Sequence, residues 1–477
     1  MRVSQIFAFA IGPAANALLG LATLPLITWL FSPGDVGRLS MLNVAVSFCL
    51  LFCSLGLDQA YVREYHSETQ RGALLRKALL PGMMVLLLLS LGFMLSPGSL
   101  ALLVLGERDT FLSLVIMLAL ISAFLNRFLS LILRMQARGL AYSLGQILPR
   151  LTMLALVLGY SLFSSGDSLT FLIVAWSSGV VMTTVILAGS TRDEWKQGGQ
   201  QSSGKTRQWD MLMFGLPLIP GGLAFWGAST IDRLFVRSYS GFEELALFSV
   251  AVSFAGVAGI LQTVFTTVWA PVIYQHADAP DSAVAIVTRM TRWMTVIIVS
   301  LFSMAGLFSW LVRYLLPAEY SGIEYIIVAC LGFPLLLTLS EVTSVGIGLM
   351  RKTLLLMIAS VLTLLINIAL NAALVPAAGA GGAAASTCLS FWIFFVIRTE
   401  LSVRIWRKTT RYEAYVFTLL CVCSAAMSSL TGKSTENILV WVWGILLLGG
   451  LLWHWRFIRT DISTVFLART GSRQVGG

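Results

Sequence analysis

The chain has 477 residues, 57% of them apolar and only 11% charged. Soluble domains carry about 25% charged residues, so the composition excludes a soluble enzyme and predicts an all-α polytopic membrane protein. The net charge of +10 fits basic residues gathered on the cytoplasmic side of a membrane rather than a nucleic-acid partner.

A membrane-spanning helix needs about 20 mainly apolar residues. That rule predicts about fourteen transmembrane helices, at 6–31, 37–58, 78–96, 110–133, 143–164, 168–190, 211–236, 244–270, 293–316, 325–349, 353–376, 380–399, 414–431 and 437–457. The first follows Arg2 and contains "AANA", which imitates a signal peptide. Its apolar run continues to Phe31, whereas a secretory apolar core spans about 7–15 residues, so it is read as a retained transmembrane helix. The six cysteines (Cys49, Cys53, Cys330, Cys388, Cys421, Cys423) lie inside apolar runs and read as small buried hydrophobes. His66, His276 and His454 are scattered. No catalytic set, metal site or cofactor site is expected.

Basic residues orient the chain. With the N-terminus in the cytoplasm, 24 of the 32 Lys and Arg residues fall on that side or at its helix ends, and six on the other. Arg127 and Arg150 remain inside apolar segments. Both termini are therefore expected in the cytoplasm.

"VAVSF" occurs at 44–48 and again at 250–254, an offset of 206. The offset also relates Ala22 to Ala228, Ser32 to Ser238 and Leu39 to Leu245. It spans an even number of segments, so it predicts two parallel-repeat six-helix bundles with a site between them. The expected organisation is an N-terminal lobe with linker at 1–206, a C-terminal lobe at 207–412, and two extra helices with a cytoplasmic tail at 413–477. The stretch Thr191–Trp209, rich in Gly, Ser and Gln, reads as the flexible linker between lobes. Pro13 and Pro220 sit at nearly related positions in the first segment of each half, where kinks would serve alternating access.

Charges inside the apolar segments are the candidate site. An ion at mid-bilayer costs about 2.5–3.5 kcal/mol and usually faces a wet cavity. Arg127, Arg134 and Arg138 share one helix face at i, i+7 and i+11, and Arg150 on the next helix can join them. Guanidinium forks suit phosphate oxygens, so these four are the candidate substrate-binding cations. Ordinary positive-inside placement of Arg134 and Arg138, and snorkelling of Arg127, stand beside that reading. Glu341, in the tenth segment, is either a proton-exchanging carboxylate or half of a static ion pair. Asp58, Asp232 and Arg233 are candidate coupling or gating residues. Adjacent helical residues point about 100° apart, so Asp232 and Arg233 are not expected to pair with each other; an ion pair with a neighbouring helix is expected for Asp232. Asn367 and Asn371 read as helix-gluing amides or cavity lining. "TGKST" at Thr431–Thr435 imitates a phosphate loop but lacks the required Gly at 427, which is Met.

"LPLITWLFSPGDVGRLSM" (24–41), "LGLDQAYVREY" (55–65), "LPLIPGGLAFWGASTIDRLFV" (216–236) and "VFTTVWAPVIYQ" (264–275) resemble the openings of the two halves of bacterial lipid-linked oligosaccharide flippases. These are the Wzx-type O-antigen and polysaccharide transporters of the multidrug/oligosaccharidyl-lipid/polysaccharide superfamily. The resemblance implies two lobes around a central cavity, a V-shaped fold like that of the multidrug exporters, and undecaprenyl-pyrophosphate-linked oligosaccharide as substrate. It also implies that Asp58, Arg63, Asp232 and Arg233 stand where the family often has the same residues. The expected protein is a monomeric, non-enzymatic flippase of the bacterial inner membrane, coupled to H+, Na+ or the membrane potential. Polysaccharide polymerase and chain-length machinery are its further expected partners. A drug exporter, or an exporter of another polyprenyl-linked precursor, on the same scaffold and a membrane polysaccharide polymerase or ligase are the rival readings.

Overall fold

In a computed structural model that describes residues 3–163, 168–197, 206–276 and 279–474, the described residues form helices and no strand. They are α1 (Val3–Leu30), α2 (Pro33–Cys53), α3 (Leu57–Glu64), α4 (Arg71–Met94), α5 (Ser99–Leu105), α6 (Thr110–Met135), α7 (Gly139–Phe163), α8 (Ser168–Ser190), α9 (Arg192–Gln197) and α10 (Gln208–Gly215). There follow α11 (Ile219–Ala255), α12 (Ala258–Tyr274), α13 (Pro280–Phe308), α14 (Ile323–Cys330), α15 (Gly332–Thr343), α16 (Val345–Leu349), α17 (Leu354–Ile405), α18 (Tyr412–Thr431) and α19 (Glu436–Gln474). Residues 198–205 of the expected linker lie outside the described residues.

Local chemistry sets the helix ends. The Ser32 hydroxyl accepts from the Asp35 amide at 3.2 Å, and Pro33 occupies the first turn of α2, where no N–H is needed. Asp109 caps α6 by accepting from the Leu112 amide at 2.8 Å.

Among the described residues, ten stretches are long and apolar enough to cross a membrane. Three of them exceed one crossing: 208–255, 354–405 and 412–457. At 1.5 Å per residue the 52-residue α17 would reach about 78 Å, more than twice the roughly 30 Å hydrocarbon layer. Each of the three is broken at a glycine with positive φ, namely Gly241, Gly379 and Gly432. At the second break the arms lie so close that a Cβ on Gly382 would collide with the Leu374 carbonyl. Counting both arms of these stretches, and α1, gives the fourteen expected crossings.

Several boundaries differ from expectation; the third segment already starts at Arg71, and the eighth, expected at 244–270, is broken between α11, which ends at Ala255, and α12, which starts at Ala258. The second segment ends at Cys53, because Leu55 and Gly56 both take positive φ, and Asp58 opens the separate helix α3. The seventh starts as α10 and passes through a 3-10 turn at Leu216–Leu218, where Pro217 and Pro220 remove backbone donors. The ninth begins at Pro280, ahead of its apolar run. Ala283, Val287, Thr291 and Met294 continue one buried stripe there, while charged residues occupy the other face. The tenth is three short helices, interrupted at Leu331 and Ser344.

Helices α1, α2, α4, α6, α7 and α8 pack around one another, and α11 to α17 around one another; α18 and α19 lie on α13, α14 and α17. The two groups meet where α2 runs along α11 and α3 touches α10. Large apolar side chains stay exposed on the outside, Leu95 at 84% and Trp441 at 75% among them. This is the lipid-facing surface of a multi-pass membrane protein.

Candidate functional site

A cavity of about 650 Å³ lies on the seam between the two groups, lined from α1, α2, α7, α8 and both arms of α11. The repeat offset reappears in its walls. Adding 206 to Leu24, Ile27, Asn43, Val44 and Ser47 gives Thr230, Arg233, Ser249, Val250 and Ser253, and all ten residues line the cavity. The "VAVSF" copies therefore face each other, and the neighbouring hydroxyls of Ser40 and Ser249 join the helices at 2.6 Å.

The lining is polar and cationic. Arg150 and Arg233 supply charge, Asn16, Asn43 and Gln146 supply amides, and Trp176 supplies a ring. No Asp or Glu is among the lining residues. Neither arginine has a carboxylate within 4.0 Å among the described residues. Arg233 donates a long 3.5 Å hydrogen bond to the Ser229 carbonyl, and its guanidinium lies 5.8 Å from the Phe248 ring centroid. Two guanidinium groups lining an acid-free cavity favour an anion there over a cation.

The other candidates are placed elsewhere. Arg127 donates to Asp58 at 2.6 Å and does not line the cavity. Arg134 and Arg138 are exposed, and Arg138 donates to the Ser190 carbonyl at 2.9 Å and hydroxyl at 3.0 Å. Arg127 and Arg134 lie on α6, but Arg138 lies beyond its end at Met135, after Ala137 takes positive φ, so the expected three-arginine face is not continued to Arg138. Glu341 accepts from Arg398 at 2.8 Å, so the ion-pair reading of Glu341 matches its geometry. Arg63 packs its guanidinium 4.5 Å from the Phe214 ring centroid.

Asp232 is 1% exposed and has no Lys, Arg or His nitrogen within 4.0 Å among the described residues. Neutral donors hold it instead: Asn371 Nδ2 at 2.7 Å and Thr387 Oγ1 at 2.5 Å. Asn371 also reaches Asn367. The ion pair expected for Asp232 is thus replaced by an amide and hydroxyl cluster between α11 and α17, in keeping with the helix-gluing role expected for the two asparagines. Asp232 and Arg233 diverge, one into that cluster and the other into the cavity.

Backbone contacts flank the cavity near the two ends of α2. A Cβ on Gly37 would collide with the Phe242 carbonyl, and one on Gly215 would come 2.6 Å from the Leu55 carbonyl oxygen. Glycine at these points lets the halves touch.

The residues that sequence reasoning passed over are Asn16, Asn43, Gln146, Trp176 and the cavity hydroxyls. A signal for some of them was present: Asn43 and Ser47 adjoin or belong to the repeated motif, where polar residues interrupt apolar helix.

A model of the family described as "Polysaccharide biosynthesis protein" matches residues 3–276. The chain belongs to this family. Among solved structures, it is similar to the lipid II flippase MurJ in an inward closed conformation, with a TM-score of 0.69 at 14% identity, covering 94% of this chain and 99% of that one. An inward-facing multidrug resistance MATE family transporter of the MOP superfamily matches with a TM-score of 0.53 at 15% identity, over 88% and 96% of the two chains. An outward-facing one matches at 0.51 and 16% identity, over 84% and 94%. No curated protein matches by sequence. This member of the polysaccharide biosynthesis family therefore has the fold of the MurJ and MATE transporters.

Proposed function

We propose that this protein flips undecaprenyl-pyrophosphate-linked oligosaccharide repeat units from the inner to the outer leaflet of the bacterial inner membrane, by alternating access. One observation carries the reading: Arg150 from the first half and Arg233 from the second face one acid-free cavity with no carboxylate partner. Guanidinium forks match the oxygens of a diphosphate. The amides of Asn16, Asn43 and Gln146 offer hydrogen bonds to sugar hydroxyls, and Trp176 offers an aromatic face. The polyprenyl tail stays in lipid, where each buried CH₂ is worth about 0.8 kcal/mol.

In this reading the lobes are residues 1–206 and 207–412, followed by two appended helices, and both termini are cytoplasmic. The coupling source is an H+ or Na+ gradient or the membrane potential. The MATE likeness raises the rival of an organic-cation exporter; a cavity of unpaired arginines repels such cargo. Purified protein in proteoliposomes separates the readings. Movement of a fluorescent polyprenyl-pyrophosphate glycan, without export of an organic cation, is expected. Export of the cation alone overturns the proposal, as does cleavage or joining of the glycan by the purified protein.

A further inference from the structure

Gly20 has no side chain to put into the cavity, yet its position decides where a cavity cation can sit. A Cβ on Gly20 would overlap Nη1 of Arg150 and would come 2.6 Å from its Cζ and 3.2 Å from its Nη2. The guanidinium thus lies across α1 in the space that any other residue would fill. No hydrogen bond or carboxylate holds it there among the described residues. The Gly20 carbonyl is already occupied, accepting from the Thr23 hydroxyl at 3.1 Å. Arg150 is therefore placed by shape alone.

The close approach has a cause one step along the same helices. The Gly12 amide donates to the Ser143 hydroxyl at 3.1 Å, and a Cβ on Gly12 would come 2.7 Å from the Ser143 Cα. Gly12 faces Ser143 and Gly20 faces Arg150, so α1 and α7 run parallel with their backbones drawn together. At that separation a side chain longer than hydrogen at position 20 and a guanidinium from position 150 cannot share the space.

We propose that Gly20 is a positioning residue for anion binding: it forms the socket that holds the Arg150 guanidinium in the cavity between the lobes. This rests on the reading of Arg150 as a diphosphate-binding cation, and the test keeps the two apart. The probe is undecaprenyl pyrophosphate, titrated into the purified full-length protein in detergent, with thermal stability measured on the same samples. Arg150→Ala is expected to weaken binding at least tenfold. Gly20→Ala is expected to weaken it to a similar degree, and the double variant Gly20→Ala/Arg150→Ala to bind no worse than Arg150→Ala alone. The thermal stability of Gly20→Ala is expected to stay close to that of the unaltered protein, because the displaced atoms are the tip of the Arg150 side chain, which can swing away. Weakened binding at unchanged stability separates lost positioning from lost folding, and a large fall in stability that the double variant does not recover overturns the socket.

Normal binding by Gly20→Ala overturns the socket while leaving the anion site standing. Additive losses in the double variant overturn it too, since Gly20 would then act through general packing. Normal binding by Arg150→Ala overturns the anion site itself, and the socket with it.

Discussion

Arg127 Nη2 lies 2.6 Å from Asp58 Oδ2, joining α6 to α3 across 69 positions of sequence. The carboxylate side chain is 8% exposed and the guanidinium 46%. Removing the cation strands a buried anion, whereas removing the anion leaves a guanidinium that water can still reach. Arg127→Ala is therefore expected to cost about 1–3 kcal/mol in stability, and Asp58→Asn less, with a double variant well short of additive. Thermal unfolding of the four proteins in one detergent checks this. Equal, additive losses would mean that the pair does not act as a pair.

The exposures are reversed in the second pair, so the asymmetry should reverse as well. Arg398 is 8% exposed and Glu341 36%. Glu341→Gln leaves a buried guanidinium whose Nε already has no hydrogen-bond partner among the described residues. A loss of about 2–3 kcal/mol is expected, measured as a fall in unfolding temperature. An unchanged melting curve, together with a changed pH profile of transport, would place Glu341 in coupling rather than in structure.

Asp232 is held by an amide and a hydroxyl. Thr387→Val deletes one donor and is expected to cost about 1–2 kcal/mol. Asp232→Ala, which empties the centre of the cluster and orphans both donors, should cost more than Thr387→Val. Ranking the two by chemical or thermal unfolding tests the assignment; a stable Asp232→Ala protein contradicts it.

Glycines at the seam predict opposite conformational biases. Gly37 meets the Phe242 carbonyl beside the Gly241 turn, and Gly215 meets the Leu55 carbonyl near the other end of α2. A methyl at either point holds that end apart. In a background without native cysteines, Asn43→Cys reports cavity access to a membrane-impermeant maleimide. Gly37→Ala is expected to raise labelling several-fold from the side of the Gly241 turn, and Gly215→Ala from the opposite side. Increases from the same side in both variants would contradict the geometry.

The crossings were legible because lipid demands long apolar runs, and the repeat because "VAVSF" survives in both halves. The end of the fourth segment was less legible: α6 stops at Met135 and Ala137 takes positive φ, which takes Arg138 off the helix that carries Arg127 and Arg134. What Arg127 meets was not legible either. Nothing local in the sequence says that Asp58, on a short helix beyond two positive-φ residues, turns back to Arg127. Arg398, counted from sequence among the cytoplasmic cations, is buried against Glu341 for the same reason, that tertiary packing chooses partners. Arg233 reached the cavity as a charge in an apolar stretch, while its neighbour Asp232 turned into the α17 cluster; the matching position of the first half is the apolar Ile27.

The account rests on an anion held between Arg150 and Arg233. The most direct measurement is the affinity of purified protein for a polyprenyl-pyrophosphate glycan in four forms: unaltered, Arg150→Ala, Arg233→Ala and the double variant. The account predicts at least a tenfold loss for each single change, near-complete loss for the double, and partial recovery with lysine at either position. Unchanged affinity in the double variant would contradict it.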